Sequence, residues 1–188
     1  GEVDVYGQLL IYKKMLQNVV SNINKNYISK PYNYEGYFKY SRQVDGQEKV
    51  KEATVTIYDA QGYHREDVAS AFKELNYKFN QVRRNSEVTS VWDGLTYFDD
   101  ILTADIVRNT RNVLDIVNSR DYKLKSKGKL VYEGDSVQVI SYQATHPSIS
   151  TTGDPAVQTY SGEIYINLKD LAVLKNVVNL TSRDFNGL

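Results

Sequence analysis

Cysteine is absent from this 188-residue chain, methionine and tryptophan occur once each, histidine twice and proline three times. The missing thiols exclude disulfides, thiolate metal centres and cysteine nucleophiles, but they leave the compartment open, since cytosolic and envelope proteins alike can lack cysteine. Histidine is the usual acid, base and metal ligand near neutral pH, yet His64 and His146 stand far apart, and neither has an HExxH-type partner. Both read as loop histidines, so no metal site and no cofactor is expected. The GxSxG elbow, the GxxxxGK[ST] loop and the GxGxxG fingerprint are all missing. No run of about 18 apolar residues occurs, so nothing is long and apolar enough to cross a bilayer as a helix. With 23 basic and 23 acidic side chains the formal charge is zero, which removes the bulk attraction behind nonspecific nucleic-acid binding. The opening Gly1-Glu2-Val3-Asp4 has no signal-peptide pattern, and with the turn-like close Asn186-Gly187-Leu188 it gives the expectation of one domain, residues 1–188, cut from a longer protein.

What the chain has instead is tyrosine, sixteen of them, placed largely where the pattern predicts strands. Over residues 4–27 the apolar positions Leu9, Tyr12, Leu16, Val19, Val20 and Ile23 recur at helical spacing, and Pro31 stops the run. From Tyr34 the period becomes two: Tyr34, Gly36, Phe38 and Tyr40 share a face. Asp45-Gly46 is a tight-turn signal, and Ala53, Val55 and Ile57 alternate after it, which makes a hairpin. Residues 68–84 fit helix or strand; a short helical turn followed by a strand over 74–84 is favoured. Residues 94–118 read as irregular helix, with Ile106, Val113 and Leu114 among those facing inward. Tyr122, Leu124, Leu130 and Tyr132 then alternate with Lys123, Lys125, Lys127 and Lys129, and Glu133-Gly134-Asp135 turns the chain into a strand over 137–144. A polar loop over 146–158 precedes the alternation Tyr160, Gly162, Ile164, Ile166, and residues 172–182 lean toward strand through their Val, Asn and Thr content. The fold class expected is α+β: one curved or half-barrel-like antiparallel sheet, with the N-terminal amphipathic helix and further helical segments packed on one face.

Two sets of side chains are candidate contacts. Tyr34, Tyr40, Tyr122, Tyr132 and Tyr160 occupy inward positions and would line a concave sheet that holds an apolar or sugar ligand, while Tyr37, Tyr58 and Tyr165 face out. Lys123, Lys125, Lys127 and Lys129 would meet an anionic surface, or simply protect a strand edge from aggregation. The carboxylates Asp99, Asp100 and Asp105, joined by a histidine, are the material for a hydrolase; neighbouring acids on one element point apart, however, and helix-start charge explains them as well.

The string Asn26-Tyr27-Ile28-Ser29-Lys30-Pro31-Tyr32-Asn33-Tyr34-Glu35-Gly36-Tyr37-Phe38-Lys39 resembles the opening of the C-terminal region of Bacteroidetes carboxypeptidase-regulatory-like-domain proteins. Glu52-Ala53, Ile57-Tyr58-Asp59, Tyr122-Lys123-Leu124 and Gly162-Glu163-Ile164-Tyr165-Ile166-Asn167 resemble its later parts. The resemblance implies a place in the periplasm or at the outer membrane, an open sheet similar to lipoprotein-carrier folds, and no catalysis. It transfers no functional residue, and the immunoglobulin-like domain that gives the family its label is not in this sequence. The expectation is therefore a non-enzymatic envelope domain that binds a lipid or other apolar ligand or an envelope protein partner. The alternative is a scaffold between an upstream immunoglobulin-like domain and an outer-membrane or C-terminal part.

Overall fold

The apolar stripe near the N-terminus forms one continuous helix, α1 (Glu2–Asn26), in a computed structural model that describes residues 2–66, 75–85, 105–115, 121–152 and 155–183. Leu16, Val19 and Ile23 are its buried contacts, with Leu9, Tyr12, Met15 and Val20 packed at the margins. Two tethers fix its C-terminal end: Asn26 Nδ2 donates to the Asp170 carbonyl at 2.9 Å, and the Tyr27 hydroxyl donates to the Val173 carbonyl at 3.2 Å.

The strands form two antiparallel meanders. One sheet has the order β1 (Tyr32–Val44), β2 (Gln47–Asp59), β3 (Leu75–Arg84); the other has β4 (Tyr122–Tyr132), β5 (Asp135–Ala144), β6 (Val157–Asn167), β7 (Val173–Ser182). Both predicted turns are present, the second with Asp135 already in its strand. Asp45 and Gly46 have φ of 51° and 76°, and Glu133 and Gly134 have 51° and 86°. Positive φ at both central residues gives the turn whose twist matches that of the flanking strands.

The four-stranded sheet turns one face to α1. Tyr122 and Leu124 of β4, Ile140, Tyr142 and Ala144 of β5, and Tyr160, Ile164 and Ile166 of β6 are buried there with the helix stripe and with Ile106, Val107, Val113 and Leu114. Each such aliphatic side chain contributes roughly 1.5–3 kcal/mol by leaving water. At the centre, Gly162 is the register partner of Tyr142. The tyrosine ring lies across the glycine, and its hydroxyl reaches the next strand, 3.0 Å from Asn176 Oδ1 and 3.3 Å from the Val177 carbonyl. Any Cβ at position 162 would collide with that ring and with the Val177 carbonyl. The three-stranded sheet has a smaller cluster of its own, Phe38, Val55 and Ile57 with Tyr40, Tyr77 and Phe79 against them.

The architecture corrects the sequence expectation on two counts. There are two open sheets rather than one, and the described residues are mostly strand: besides α1 they hold only a 3-10 turn (Val113–Asp115) and one helical turn (Ile149–Thr152). Among the described residues, these two single turns stand where further helical segments on one face were expected. Of the expected helix over 94–118, residues 105–115 are described, and they form turns. The apolar residues there do point inward, but short polar side chains capture the backbone. Asp105 Oδ1 accepts from the amides of Val107 and Arg108, Asn112 Nδ2 donates to the carbonyls of Ile106 and Asn109, and Asn112 Oδ1 accepts from the Leu114 amide. Such local bonds offer the backbone an alternative to the helical ladder.

A further correction concerns β4. Its pairing with β5 slips between Ser126 and Gly128, placing Ser126 opposite Ile140 and Gly128 opposite Val139. One extra residue reverses the alternation. Lys123 and Lys125 therefore share a face with Ser141 and Gln143, Lys127 sits at the bulge, and Lys129 pairs with Gln138 on the opposite face. The four lysines do not form one row. The same slip sends Leu130 and Tyr132 away from the face that carries Tyr122 and Leu124.

The close approach at Gly162 makes a two-sided prediction. Gly162→Ala should lower stability by about 2 kcal/mol or more, because the colliding groups are backbone and a buried ring. Gly7→Ala, at a helical position with nothing within 4 Å of the new methyl, should raise it by up to about 1 kcal/mol. Urea denaturation midpoints at constant m-value read both.

Candidate functional site

The residues that follow β2 build a platform with the 105–115 segment. Asp59, fully buried at the end of β2, is ion-paired with Arg108, which is itself buried. Asp59 Oδ1 also accepts from the Gln61 amide at 3.1 Å. The other arm of the guanidinium reaches Glu66 Oε1 at 3.5 Å, and its plane lies 4.7 Å from the centre of the Tyr63 ring. Burial alone would lower the pKa of Arg108, but the hydrogen bond and charge of Asp59 outweigh it and hold the group above its ordinary value. Main-chain bonds run alongside: the Glu66 amide donates to the Arg108 carbonyl at 2.9 Å and the Thr110 amide to the Glu66 carbonyl at 3.0 Å. Arg65 adds bonds to the carbonyls of Ile106 and Val107 at 2.9 and 3.0 Å and an ion pair with Asp115 at 2.5 Å.

Gly62 lets this platform approach the chain that leaves α1. With φ of 80° it presses on Ser29 and Lys30, where a side chain would have no room, and the next amide, of Tyr63, donates to the Ile28 carbonyl at 2.7 Å. Tyr63 thereby stacks on Tyr27, centroids 4.8 Å apart and planes 17° from parallel. Its hydroxyl donates to Asp105 Oδ2 at 2.5 Å. Burial first, then the Asp105 charge, pushes the Tyr63 pKa far up.

Above this stacked pair opens a cleft of about 520 Å³ between the two sheets. Tyr34, Gly36, Tyr37, Val55 and Ile57 of β1 and β2 form one wall, Tyr37 having been expected to face out, and Val173, Leu174, Lys175, Asn176 and Val178 of β7 the other. Tyr27, Tyr63, Asp105, Ile106 and Val107 form the floor. Burial raises Tyr27 and Tyr34 to about 12 each, and Tyr32 adds to it at Tyr34. The volume falls within the range of small-molecule sites, and the lining is the usual mixture of apolar walls and a few polar groups.

The cleft collects only part of the predicted tyrosine set. Tyr34 lines it and is 43% exposed. Tyr40 packs against the Phe38 cluster. Tyr122 and Tyr160 are buried in the main core and form a ring cluster with Tyr142, centroids 5.8 to 6.4 Å apart; the Tyr122 hydroxyl donates to the Thr151 carbonyl at 2.5 Å. Tyr132 lies beyond the β4 bulge, 53% exposed, beside Leu130, Val137 and Tyr165. Tyr37 and Tyr58 are exposed, and Tyr165 is half-buried. Lys123 and Lys125 border a polar cavity of about 750 Å³ with Glu163 and Gln143, Lys127 pairs with Glu163 at 3.7 Å, and Lys129 is exposed on the other face.

Asp99 and Asp100 lie outside the described residues. Asp105 is a structural acceptor, its two oxygens taken by Tyr63 and by two backbone amides. His64 Nδ1 sits 2.8 Å from the Gly62 carbonyl and His146 is exposed, so neither histidine joins Asp105 as an acid–base pair. Sequence reasoning missed Tyr27, Tyr63 and the β7 wall. Tyr27 was read as the end of a helix stripe, and the available signal for Tyr63 was the glycine before it.

The platform predicts a charge-specific stability effect. Arg108→Met leaves Asp59 buried without its cation and should cost about 3–5 kcal/mol, part of it recovered in the Asp59→Asn, Arg108→Met double variant; chemical denaturation of the three proteins measures the coupling. The tyrosines predict an alkaline limit. Tyr27, Tyr63, Tyr122, Tyr142 and Tyr160 are all raised, chiefly by burial. A folded-state pKa above the unfolded value stabilises fully below about pH 10 and is lost as pH rises toward the folded value. Stability should therefore fall steeply above about pH 10. Phenolate absorbance should show exposed tyrosines titrating first and this buried group ionising together with the loss of near-UV circular dichroism.

No family model matches the sequence, and no curated protein does. Among solved structures the chain is similar to the Mycobacterium tuberculosis lipoprotein LppX, at 12% identity over 89% of this chain and 88% of that one, with a TM-score of 0.38. It is also similar to a DUF1329 family protein from Desulfovibrio piger, at 9% identity over 90% and 73% of the two chains, with a TM-score of 0.35. Likeness at this level is too distant to bear on what the cleft binds.

Proposed function

We propose that this chain is a non-enzymatic binding domain whose cleft between the sheets holds an apolar, lipid-like ligand. The observation that carries the reading is the cleft wall itself: aliphatic side chains from two different sheets face each other across a 520 Å³ opening over a stacked tyrosine floor. Apolar surface held apart in this way gains free energy when an apolar guest displaces water from it. The tyrosines suit such a guest because each offers an apolar ring while its hydroxyl stays bonded elsewhere, Tyr27 to the Val173 carbonyl and Tyr63 to Asp105. Asp105, with its oxygens already engaged, orients the floor rather than acting on a ligand. An envelope location belongs to the same proposal and rests on the resemblance of residues 26–39 and 162–167 to envelope proteins.

A fluorescent fatty-acyl probe such as cis-parinaric acid tests the reading. Saturable binding displaced by oleate is expected. Gly36→Phe, which projects a ring into the cleft from a strand position whose nearest neighbour is a Val55 methyl, should weaken binding at least about tenfold without unfolding the protein, in keeping with filled pockets losing their guests. Tyr34→Phe should bind within about twofold of the parent, since the ring and not the hydroxyl forms the wall. Absence of saturable uptake, or uptake indifferent to Gly36→Phe, rejects the cleft as the binding site.

A further inference from the structure

On the far side of β7 lies a second cavity, of about 460 Å³, lined by Leu130, Tyr132, Val137, Tyr165, Leu174 and Lys175. The last two of these residues also line the cleft between the sheets. The reason is a register slip: Tyr165 pairs with Lys175 but Ile166 pairs with Val173, so Leu174 is an extra residue outside the ladder. A bulge of this kind re-aims side chains and bends the strand. At 42% exposure, Leu174 divides two apolar grooves rather than belonging to either.

Lys175 stands at the same divide. Its ammonium lies 5.3 Å from the centre of the Tyr165 ring, whose hydroxyl donates to Glu163 Oε2 at 3.1 Å. Among the described residues no carboxylate pairs with it; Glu163, the nearest acid along β6, is 3.7 Å from Lys127, and Asp105 is held by Tyr63 and two amides. The outer groove also accounts for the exposed apolar end of β4, which the bulge at Ser126–Gly128 turned to this face together with Val137. A lone cation between two apolar grooves matches an anionic headgroup between two hydrocarbon arms.

We infer that the two cavities are one bipartite site for an anionic amphiphile with two acyl chains, one chain in the cleft, the other in the outer groove, and the headgroup on Lys175. The inference rests on the proposed lipid-binding role of the cleft and adds the ligand's chain number and charge. Native mass spectrometry and calorimetry with four probes test it: dioleoyl-phosphatidylglycerol, its one-chain lyso form, dioleoyl-phosphatidylcholine and oleate. One dioleoyl-phosphatidylglycerol per protein is expected, bound at least tenfold tighter than the lyso form. Leu130→Trp, which fills the outer groove from an exposed position, should bring the two-chain lipid down to the one-chain affinity and leave the lyso form unchanged. Lys175→Gln should remove the preference over phosphatidylcholine, and thermal melting confirms that both variants are folded. If the lyso form binds as tightly as the two-chain lipid, or Leu130→Trp changes neither, the bipartite site is wrong while the cleft reading stands. If oleate binds and phosphatidylglycerol shows no advantage over phosphatidylcholine, the headgroup assignment is wrong. If no probe binds, both readings fall.

Discussion

The ion pair between Asp59 and Arg108 is the constraint on which the remaining geometry depends. It joins the last residue of β2 to a segment of turns about fifty positions away, and with Glu66 it holds that segment against the end of the three-stranded sheet. Two charges removed from water are costly, by several kcal/mol per ion, unless geometry and further hydrogen bonds compensate. Here the compensation is shared: the Gln61 amide on one side, Glu66 and the face of Tyr63 on the other. Without the pair, the 105–115 backbone would keep only the Glu66 main-chain bonds, the Arg65 bonds and its core contacts, and the stacked floor of the cleft would lose part of its support.

Tyrosine therefore does three separate jobs in one molecule. Tyr122, Tyr142 and Tyr160 are core residues that span the sheet and place their hydroxyls on the backbone or side chains of neighbouring segments. Tyr27 and Tyr63 are a stacked joint between the helix exit and the platform. Tyr34 and Tyr132 are exposed wall residues of two different cavities. Chemistry common to all of them, an apolar ring with a polar tip, is used differently according to what each tip can reach.

How much of this was legible in the sequence depended on the range of the interaction. Local patterns read through directly: the stripe Leu16, Val19, Ile23 became the buried face of α1, and the chain turns at Asp45-Gly46 and Glu133-Gly134 because Gly46 and Gly134 adopt positive φ without a Cβ penalty. Of the ambiguous 68–84 and 171–182 segments, Leu75–Arg84 and Val173–Ser182 are strands, settled by pairing with β2 and β6 rather than by their own composition, while the helical turn expected before residue 75 lies outside the described residues. What failed was parity across a bulge. A strict alternation from Tyr122 to Tyr132 invites one face for the tyrosines and one for the lysines, and a single unpaired residue at Lys127 undid both assignments. The cleft was hidden for another reason: its walls come from β1, β2 and β7, which no periodicity within one segment can bring together.

The partners of α1 carry a consequence for how the chain reaches its fold. Leu16, Val19 and Ile23 are buried against residues that begin at Ile106 and extend to Ile166, while the nearer hairpin of β1 and β2 closes through a two-residue turn. Hairpins of that kind assemble in about 1–10 μs, whereas contacts across a hundred residues wait on closure of a long loop. During synthesis from the N-terminus, α1 is thus made before the residues it packs on. Its apolar stripe stays exposed until Val113–Asp115 and β4 have emerged, which leaves the unseated helix in need of shielding from other nascent chains.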